Sequence, residues 1–290
     1  MASLDQRLPV NVAGDFFVDA TCIDCGTCRW VAPESFDAVG EKSRVYRQPA
    51  NDPAARLRAE MALIACPVAA IGTESKHDLA PARGAFPEPL AEEVYYCGYH
   101  AEASYGAAAY LIRRPGGNIL VDSPRFAGPL VSKLEALGGV RYMFLTHQDD
   151  VADHERFHAH FGCERILHAD DVTAGTRKIE IKLDGSEPIR FADDVTFLPV
   201  PGHTRGSVCL LYRDIFVFSG DHVAWSEDLG HIYAFRDACW YNWRALVRSM
   251  ERLAEYDFEW ILPGHGRRCR FPAAQMRAEM RRGLEWMRRQ

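Results

Sequence analysis

Two hydrophobic spacings alternate along this chain. Short apolar runs of strand length, YGAAAYLI (105–112), NILVD (118–122), YMFLT (142–146), VTFLPV (195–200), SVCLLY (207–212), IFVFSG (215–220) and FEWILP (258–263), are rich in β-branched and aromatic residues. Between them, helical periods are predicted around Pro129–Leu137, Asp153–Phe161 and Tyr241–Tyr256. This alternation predicts layered mixed α and β structure. Arg213 and Asp214 separate two of the runs and predict a hairpin turn. Near the end, Met276, Met280, Leu284 and Met287 recur at helical spacing beside several arginines, so a terminal helix with one buried and one solvated basic face is expected. The first segment runs to about Thr73. After it, three prolines, a glycine and scattered charges over TESKHDLAPARGAFPEPL replace any apolar period. The expected organisation is a first domain at 1–73, a linker at 74–89 and a second domain at 90–290.

At 290 residues the chain is long enough for two ordinary domains or one large one. Hydrophobic residues at 48% and charged residues at 26% fit an ordinary globular protein and give no sign of disorder. The formal net charge of -6 supplies no general basic surface, so neither nucleic acid nor an anionic membrane is an expected partner. No run approaches the roughly 18 to 20 apolar residues of a membrane span, and MASLDQRLPVNV lacks the apolar core of a signal peptide. A cytoplasmic location is the expectation. Nine cysteines, an odd number, argue against an oxidised disulfide framework.

Their clustering points to metal instead. Cys22, Cys25 and Cys28 form C-x2-C-x2-C, and Cys66 stands far downstream directly before Pro67. Four thiolates are the complement of a 4Fe-4S cluster, and Gly26 allows the tight turns such a loop needs. A structural zinc site is the rival, although zinc sites with four cysteines usually pair two separated C-x2-C knuckles and only one is present. Over most of residues 10–73, the spacing, the apolar aromatic stretch after Cys28 and the CPVAAI ending resemble single-cluster bacterial-type ferredoxins. The other cysteines, Cys97, Cys163, Cys209, Cys239 and Cys269, are expected to be buried free thiols.

A second constellation follows the strands. YMFLT leads into His147-Gln148-Asp149-Asp150-Val151-Ala152-Asp153-His154, VTFLPV into Pro201-Gly202-His203-Thr204, IFVFSG into Asp221-His222, and FEWILP into Gly264-His265. Ligands at the C-terminal ends of several strands can converge at one sheet edge, where rigid elements fix their positions. Imidazole and carboxylate together suit zinc, iron or manganese, and Asp221 is the natural bridge between two ions.

These phrases, THQDDVADH, PGHTRGSV, SGDH and LPGHG, resemble in order the motifs of the metallo-β-lactamase superfamily over roughly residues 90–270. The resemblance implies an αββα sandwich preceded by the small ferredoxin-like iron–sulfur domain, an α+β chain overall. It implies that His147 and His203 bind a first metal, that Asp153, His154 and His265 bind a second, and that Asp221 bridges them. The superfamily's first motif is HxHxDH, whereas this chain has two added residues and no second histidine. Asp149 takes that ligand's place by counting from His147, with Asp150 its competitor. His222 is a candidate supporting partner or substrate contact. Trp240, Tyr241 and Trp243 lie where the superfamily often builds its substrate cover, with packing of their own helix the alternative. His77, His100, His158, His160, His168 and His231 are expected at the surface or satisfied in the core.

Two enzyme classes follow. The first is a metal-dependent hydrolase of an ester, thioester, lactone or phosphoester, with Asp153, Asp221 and His203 as the catalytic set and one or two divalent ions, zinc or iron, with manganese also compatible. The second is a non-haem di-iron oxidoreductase fed with electrons by the cluster, an idea favoured by carboxylate in place of histidine. A non-enzymatic redox sensor or electron carrier is the third reading. The partners expected are a small-molecule substrate and a redox partner protein.

Overall fold

The computed structural model describes residues 2–49 and 52–290. It separates into two compact units, one holding the chain up to Arg141 together with Ala152–Gly162, the other Tyr142–Val151 with Cys163–Gln290. Among the described residues no helix is long and apolar enough to cross a membrane.

The first unit begins with the cysteine-rich segment. Phe16–Val18 pairs antiparallel with Ile71–Thr73, so the two ends of the segment close on each other. Between them lie the short helix Thr27–Val31, the hairpin Phe36–Val39 with Lys42–Val45, and the helix Pro53–Ala65. That helix starts where Asp52 accepts hydrogen bonds from the amides of Ala54 and Ala55, with proline at its first position, a strong start signal. It stops at Cys66, the residue before Pro67, which sterics hold out of the helical region. The segment expected as a linker carries a turn of helix at Ala80–Gly84, and Glu88–Ala91 begins a four-stranded antiparallel meander with Val94–Tyr96, Tyr110–Ile112 and Ile119–Val121. Of the apolar run 105–112, only its last three residues form a strand. Tyr105 adopts a left-handed conformation with φ 48°, which breaks the extended path before it. The predicted helices here are Gly128–Ala136 and His154–Phe161.

The second unit holds a three-stranded parallel ladder, Tyr142–Phe144, Glu164–His168 and Ile181–Leu183, and a six-stranded sheet. The six run in the order Ile189–Ala192, Val195–Pro199, Val208–Tyr212, Phe216–Gly220, Trp260–Pro263 and Cys269–Arg270. Arg213 and Asp214 turn the predicted hairpin with φ of 55° and 54°, both left-handed, and the Ile215 amide closes the turn on the Tyr212 carbonyl. Both faces of this sheet are covered, which explains why its strands read as continuous apolar runs instead of alternating. On one face Phe197 stacks on Phe144 with ring centroids 4.6 Å apart. On the other, Leu198, Leu211, Val217 and Ile261 pack with Leu246 and Met250 of the helix Trp243–Leu253 and with Met276 and Met280 of Ala273–Met287. The first of these helices begins two residues later than its periodicity suggests because Asn242 caps it, accepting from the Ala245 amide at 2.8 Å.

Candidate metal centres

Cys22, Cys25, Cys28 and Cys66 line one pocket together with Ile23, Thr27, Ser43, Val68 and Ala70. The loop reaches this shape because Asp24 and Gly26 are left-handed, with φ of 61° and 79°. Backbone amides point at the sulfurs, Ser43 N at Cys22 Sγ (3.4 Å) and Ala70 N at Cys66 Sγ (3.2 Å). Burial and the neighbouring thiols push the Cys66 thiol up to about 11 and that of Cys28 higher still. Buried thiols such as Cys28 and Cys66 need cationic metal to become thiolates, and the set of four fits an iron–sulfur cluster. Of the remaining cysteines, Cys97, Cys163, Cys209 and Cys269 are buried and Cys239 is half-buried, and none is disulfide-bonded among the described residues.

The second centre lies within the second unit. His147 and His203 follow the ends of two strands, and Asp221 follows a third. His147 Nε2 lies 3.8 Å from Asp149 Oδ2 and 3.8 Å from Asp221 Oδ2, while His203 Nε2 lies 3.5 Å and 3.7 Å from the same two atoms. Both imidazoles are buried, and His147 Nε2 and both ring nitrogens of His203 have no hydrogen-bond partner among the described residues. An unpartnered buried nitrogen is costly, and a cation facing it would remove the cost. Burial, reinforced by His203, pulls His147 down to about 4, so its ring is neutral at pH 7 and its lone pair is available. On the far side of the ring, Nδ1 sits 3.0 Å from Thr146 Oγ1 and 4.0 Å from the buried Asp150 Oδ2. Asp149 therefore faces the same nitrogen of His147 that Asp221 does; Asp150 lies nearer Nδ1, and two groups close enough to hold an ion result, His147 with Asp149 and His203, and His147 with Asp150 and Asp221.

Burial opposes ionisation of Asp221, but His265, His147 and His203 together hold its carboxyl well below the ordinary range. Its two oxygens each lie 2.9 Å from His265 Nδ1, and the His265 amide donates to Oδ1 at 3.1 Å. His265 thus joins the group through Asp221. Gly264 leaves room for this crowding, since a Cβ there would stand 2.7 Å from Asp150 Oδ2 and 3.0 Å from Asp221 Oδ1. Asp153 and His154 belong to the first unit, where Asp153 precedes the helix His154–Phe161 and its Oδ2 accepts from the Phe126 amide at 2.7 Å. His222 is buried with neither ring nitrogen hydrogen-bonded among the described residues, and burial pulls it down to about 3.

One organising residue escapes the motif reading. Asp171 is buried and accepts from the Gln148 amide (3.0 Å), Thr204 Oγ1 (2.6 Å) and the Gly206 amide (2.6 Å). It therefore ties the loop of His147 to the loop of His203. The only sequence signal is an acidic pair at the end of the apolar run RILH, which by itself is ordinary. Trp240 is 66% exposed although its ring centroid lies 6.3 Å from that of buried His203. It is held there by the amides of Tyr241 and Asn242, which donate to the carbonyls of His203 and Gly202. Trp243, by contrast, packs against the core of its own unit, with Nε1 donating to the Met287 carbonyl.

Residues 18–73 match the family described as the 4Fe-4S single cluster domain of Ferredoxin I. Among solved structures, the chain resembles VMB-1 at pH 5.5, with 15% identity, a TM-score of 0.53, and coverage of 70% of this chain and 95% of that one. It resembles a metallo-β-lactamase from Hirschia baltica at 16% identity and TM-score 0.52, covering 68% and 95%. It also resembles the metallo-β-lactamase FIM-1 from Pseudomonas aeruginosa in its mono-zinc form at 18% identity and TM-score 0.50, covering 68% and 93%. No curated protein matches the chain. The chain has a metallo-β-lactamase fold, the α+β sandwich expected from its motifs, joined to a small N-terminal ferredoxin domain. The family match supports a 4Fe-4S cluster in that domain, and the histidine and aspartate groups of the second unit could hold a metal ion.

Proposed function

We propose that this chain is a metal-dependent hydrolase acting on an ester, thioester, lactone or phosphoester, with an iron–sulfur domain in electron-transfer or sensing service. The observation that supports it best is the spacing of His147 Nε2, His203 Nε2, Asp149 Oδ2 and Asp221 Oδ2, with histidine-to-carboxylate separations of 3.5–3.8 Å. Donors bound tetrahedrally at about 2.1 Å stand roughly 3.4 Å apart, so a small inward shift of three of these side chains would hold an ion with a fourth position left for water. In this reading Asp149 is the ligand that replaces the missing histidine, and Asp150 supports His147 from behind. Asp153, His154 and His265 are the candidates for a second ion.

A divalent ion held here would supply a hydroxide near neutral pH and polarise the substrate oxygen. The protein's own part is orientation and proton handling. His147, held neutral by its burial, and His203 offer ring nitrogens, and ionised Asp149 and Asp221 balance positive charge. Asp153 is the candidate to hold the attacking water on the motif resemblance; within its own unit its Oδ2 accepts from the Phe126 amide at 2.7 Å and its Oδ1 pairs with Arg156 at 3.5 Å. Asp149, with its side chain 43% exposed, and the exposed Trp240 are the candidates to meet a substrate.

A second reading, ferredoxin-coupled redox chemistry at non-haem iron, is supported by two carboxylates facing two histidines, a harder donor set than histidines alone. Metal analysis and Mössbauer spectroscopy of anaerobically purified protein distinguish the two. The hydrolase reading expects zinc, or iron inert to reduction, at the second site, and turnover of at least one member of an ester, lactone, thioester and phosphoester panel. Two iron populations that both respond to reductant, with no turnover on the panel, would replace it with the redox reading.

A further inference from the structure

The cluster loop meets a histidine that belongs to the β-meander half of the same unit. His100 is fully buried, and its Nδ1 reaches both the Gly106 carbonyl and Thr27 Oγ1, the latter at 3.0 Å. A carbonyl only accepts, so Nδ1 carries the proton. In the neutral ring Nε2 is then an acceptor, and Tyr96 OH lies 2.5 Å from it as the donor. The Thr27 hydroxyl, receiving from His100, keeps its own hydrogen for another partner. Two acceptors are in range, the Gly106 carbonyl, already engaged by His100, and Cys25 Sγ, each at 3.4 Å. As a cluster ligand Cys25 is a thiolate, and an ionised acceptor outcompetes a neutral one. The one Nδ1 hydrogen of His100 is shared between the Gly106 carbonyl and Thr27 Oγ1, and the chain runs Tyr96 to His100 to Thr27 to Cys25.

We propose that Thr27 and His100 are positioning residues for the cluster: His100 orients the Thr27 hydroxyl onto Cys25 Sγ, and that hydrogen bond raises the cluster's reduction potential. Reduction adds an electron to a site already ringed by thiolates. A donor that withdraws charge from one sulfur favours the reduced state. The same segment shields that sulfur, since a Cβ at Gly106 would stand 2.8 Å from Cys25 Cβ and 3.0 Å from its Sγ.

The test is a potentiometric titration of the full chain, purified anaerobically, with dithionite supplying one electron per cluster. Iron and sulfide analysis comes first, because zinc in place of four irons would refute the cluster itself and not its tuning. Thr27→Val should make the reduction equilibrium constant at least about tenfold smaller, a drop of about 59 mV for one electron. His100→Phe should give a drop of similar size, the double variant should add little to either, and Thr27→Ser should retain the parent value. Pulsed electron spin resonance of the reduced parent protein in D₂O should show an exchangeable deuteron close to the cluster that Thr27→Val removes. Parent potentials in both Thr27→Val and His100→Phe would overturn the proposal. A Thr27→Ser shift as large as that of valine would overturn it too. If the valine variant fails to assemble its cluster, the absence of a parent deuteron coupling, or an unshifted His100→Phe, does so as well.

Discussion

Asp221 and His265 are joined at three points: both carboxylate oxygens lie 2.9 Å from the imidazole Nδ1, and the His265 amide donates to Oδ1 at 3.1 Å. The same carboxylate faces His147 and His203 through Oδ2, at 3.8 and 3.7 Å. One side chain thus connects the ends of three strands and the loop after a fourth.

Asp221→Ala should therefore lower metal content throughout the second centre, and hydrolytic turnover by at least about 10²-fold, the scale expected when a charge-organising group at a reacting centre is lost. Metal analysis after dialysis against a weak chelator checks this. Unchanged occupancy would remove Asp221 from the proposed site.

Asp171→Ala should weaken metal retention without touching any proposed ligand. Its three donors, Gln148 N, Thr204 Oγ1 and Gly206 N, would lose a buried charged acceptor, and each hydrogen bond of that kind is worth about 1.5–3 kcal/mol. Supporting interactions around metal ligands commonly contribute 10- to 100-fold in affinity. A competition titration with a chromophoric chelator should show a loss on that scale, and Asp171→Asn a smaller one, because asparagine keeps an acceptor oxygen.

Gly106→Ala should impair the cluster rather than the second centre. Position 106 has φ +84°, and the added methyl would meet Cys25 and Pro67 at about 3 Å. The expected result is reduced iron and sulfide content with the zinc or iron of the second site retained. Equal loss from both sites would mean the damage is general.

His77 bridges Glu60 and Asp15, at 2.7 Å through Nδ1 and 2.6 Å through Nε2. Burial pulls against its protonation, but the hydrogen bonds and charges of both carboxylates prevail and raise its pKa. The folded state then binds this proton more tightly than the unfolded chain does. Its contribution to stability is complete below the unfolded value near 6.5 and is lost as pH rises through the higher folded value. Asp15, held low chiefly by Ser75 and His77 against its burial, contributes in the opposite sense, and its share disappears as pH falls through its lowered value. Urea unfolding of the parent and His77→Gln across mildly acid to mildly alkaline pH should show the parent's advantage shrinking toward alkaline pH. A constant difference would refute the linkage.

Much of this was legible before any coordinates. The apolar runs mark the central strands, Arg213-Asp214 marks a turn that needs two left-handed residues, and Cys66-Pro67 marks the end of a helix. These are local signals, set by sterics within a few residues. Counting from His147 favours Asp149 over Asp150, but which side of the ring each occupies depends on the path of the inserted loop. Asp171 and His100 were less legible still. Each matters for what it touches at a distance, Thr204 and Gly206 in one case and Thr27 in the other, and no spacing rule encodes those meetings. The strands Ala224–Ser226 and His231–Tyr233 were missed for the same reason, being short and stabilised by their pairing with each other.

The packing of residues 96–106 on the cysteine loop bears on how such a chain can be rearranged. Tyr105 OH donates to the Ile23 carbonyl, the His100 amide donates to that of Ala65, and Arg58 pairs with Glu88. A cut after Thr73 would follow the apparent boundary but strip the iron-bearing piece of its lid, exposing Cys25 to solvent and oxidant. Anyone transplanting this piece onto another scaffold would have to carry the meander with it.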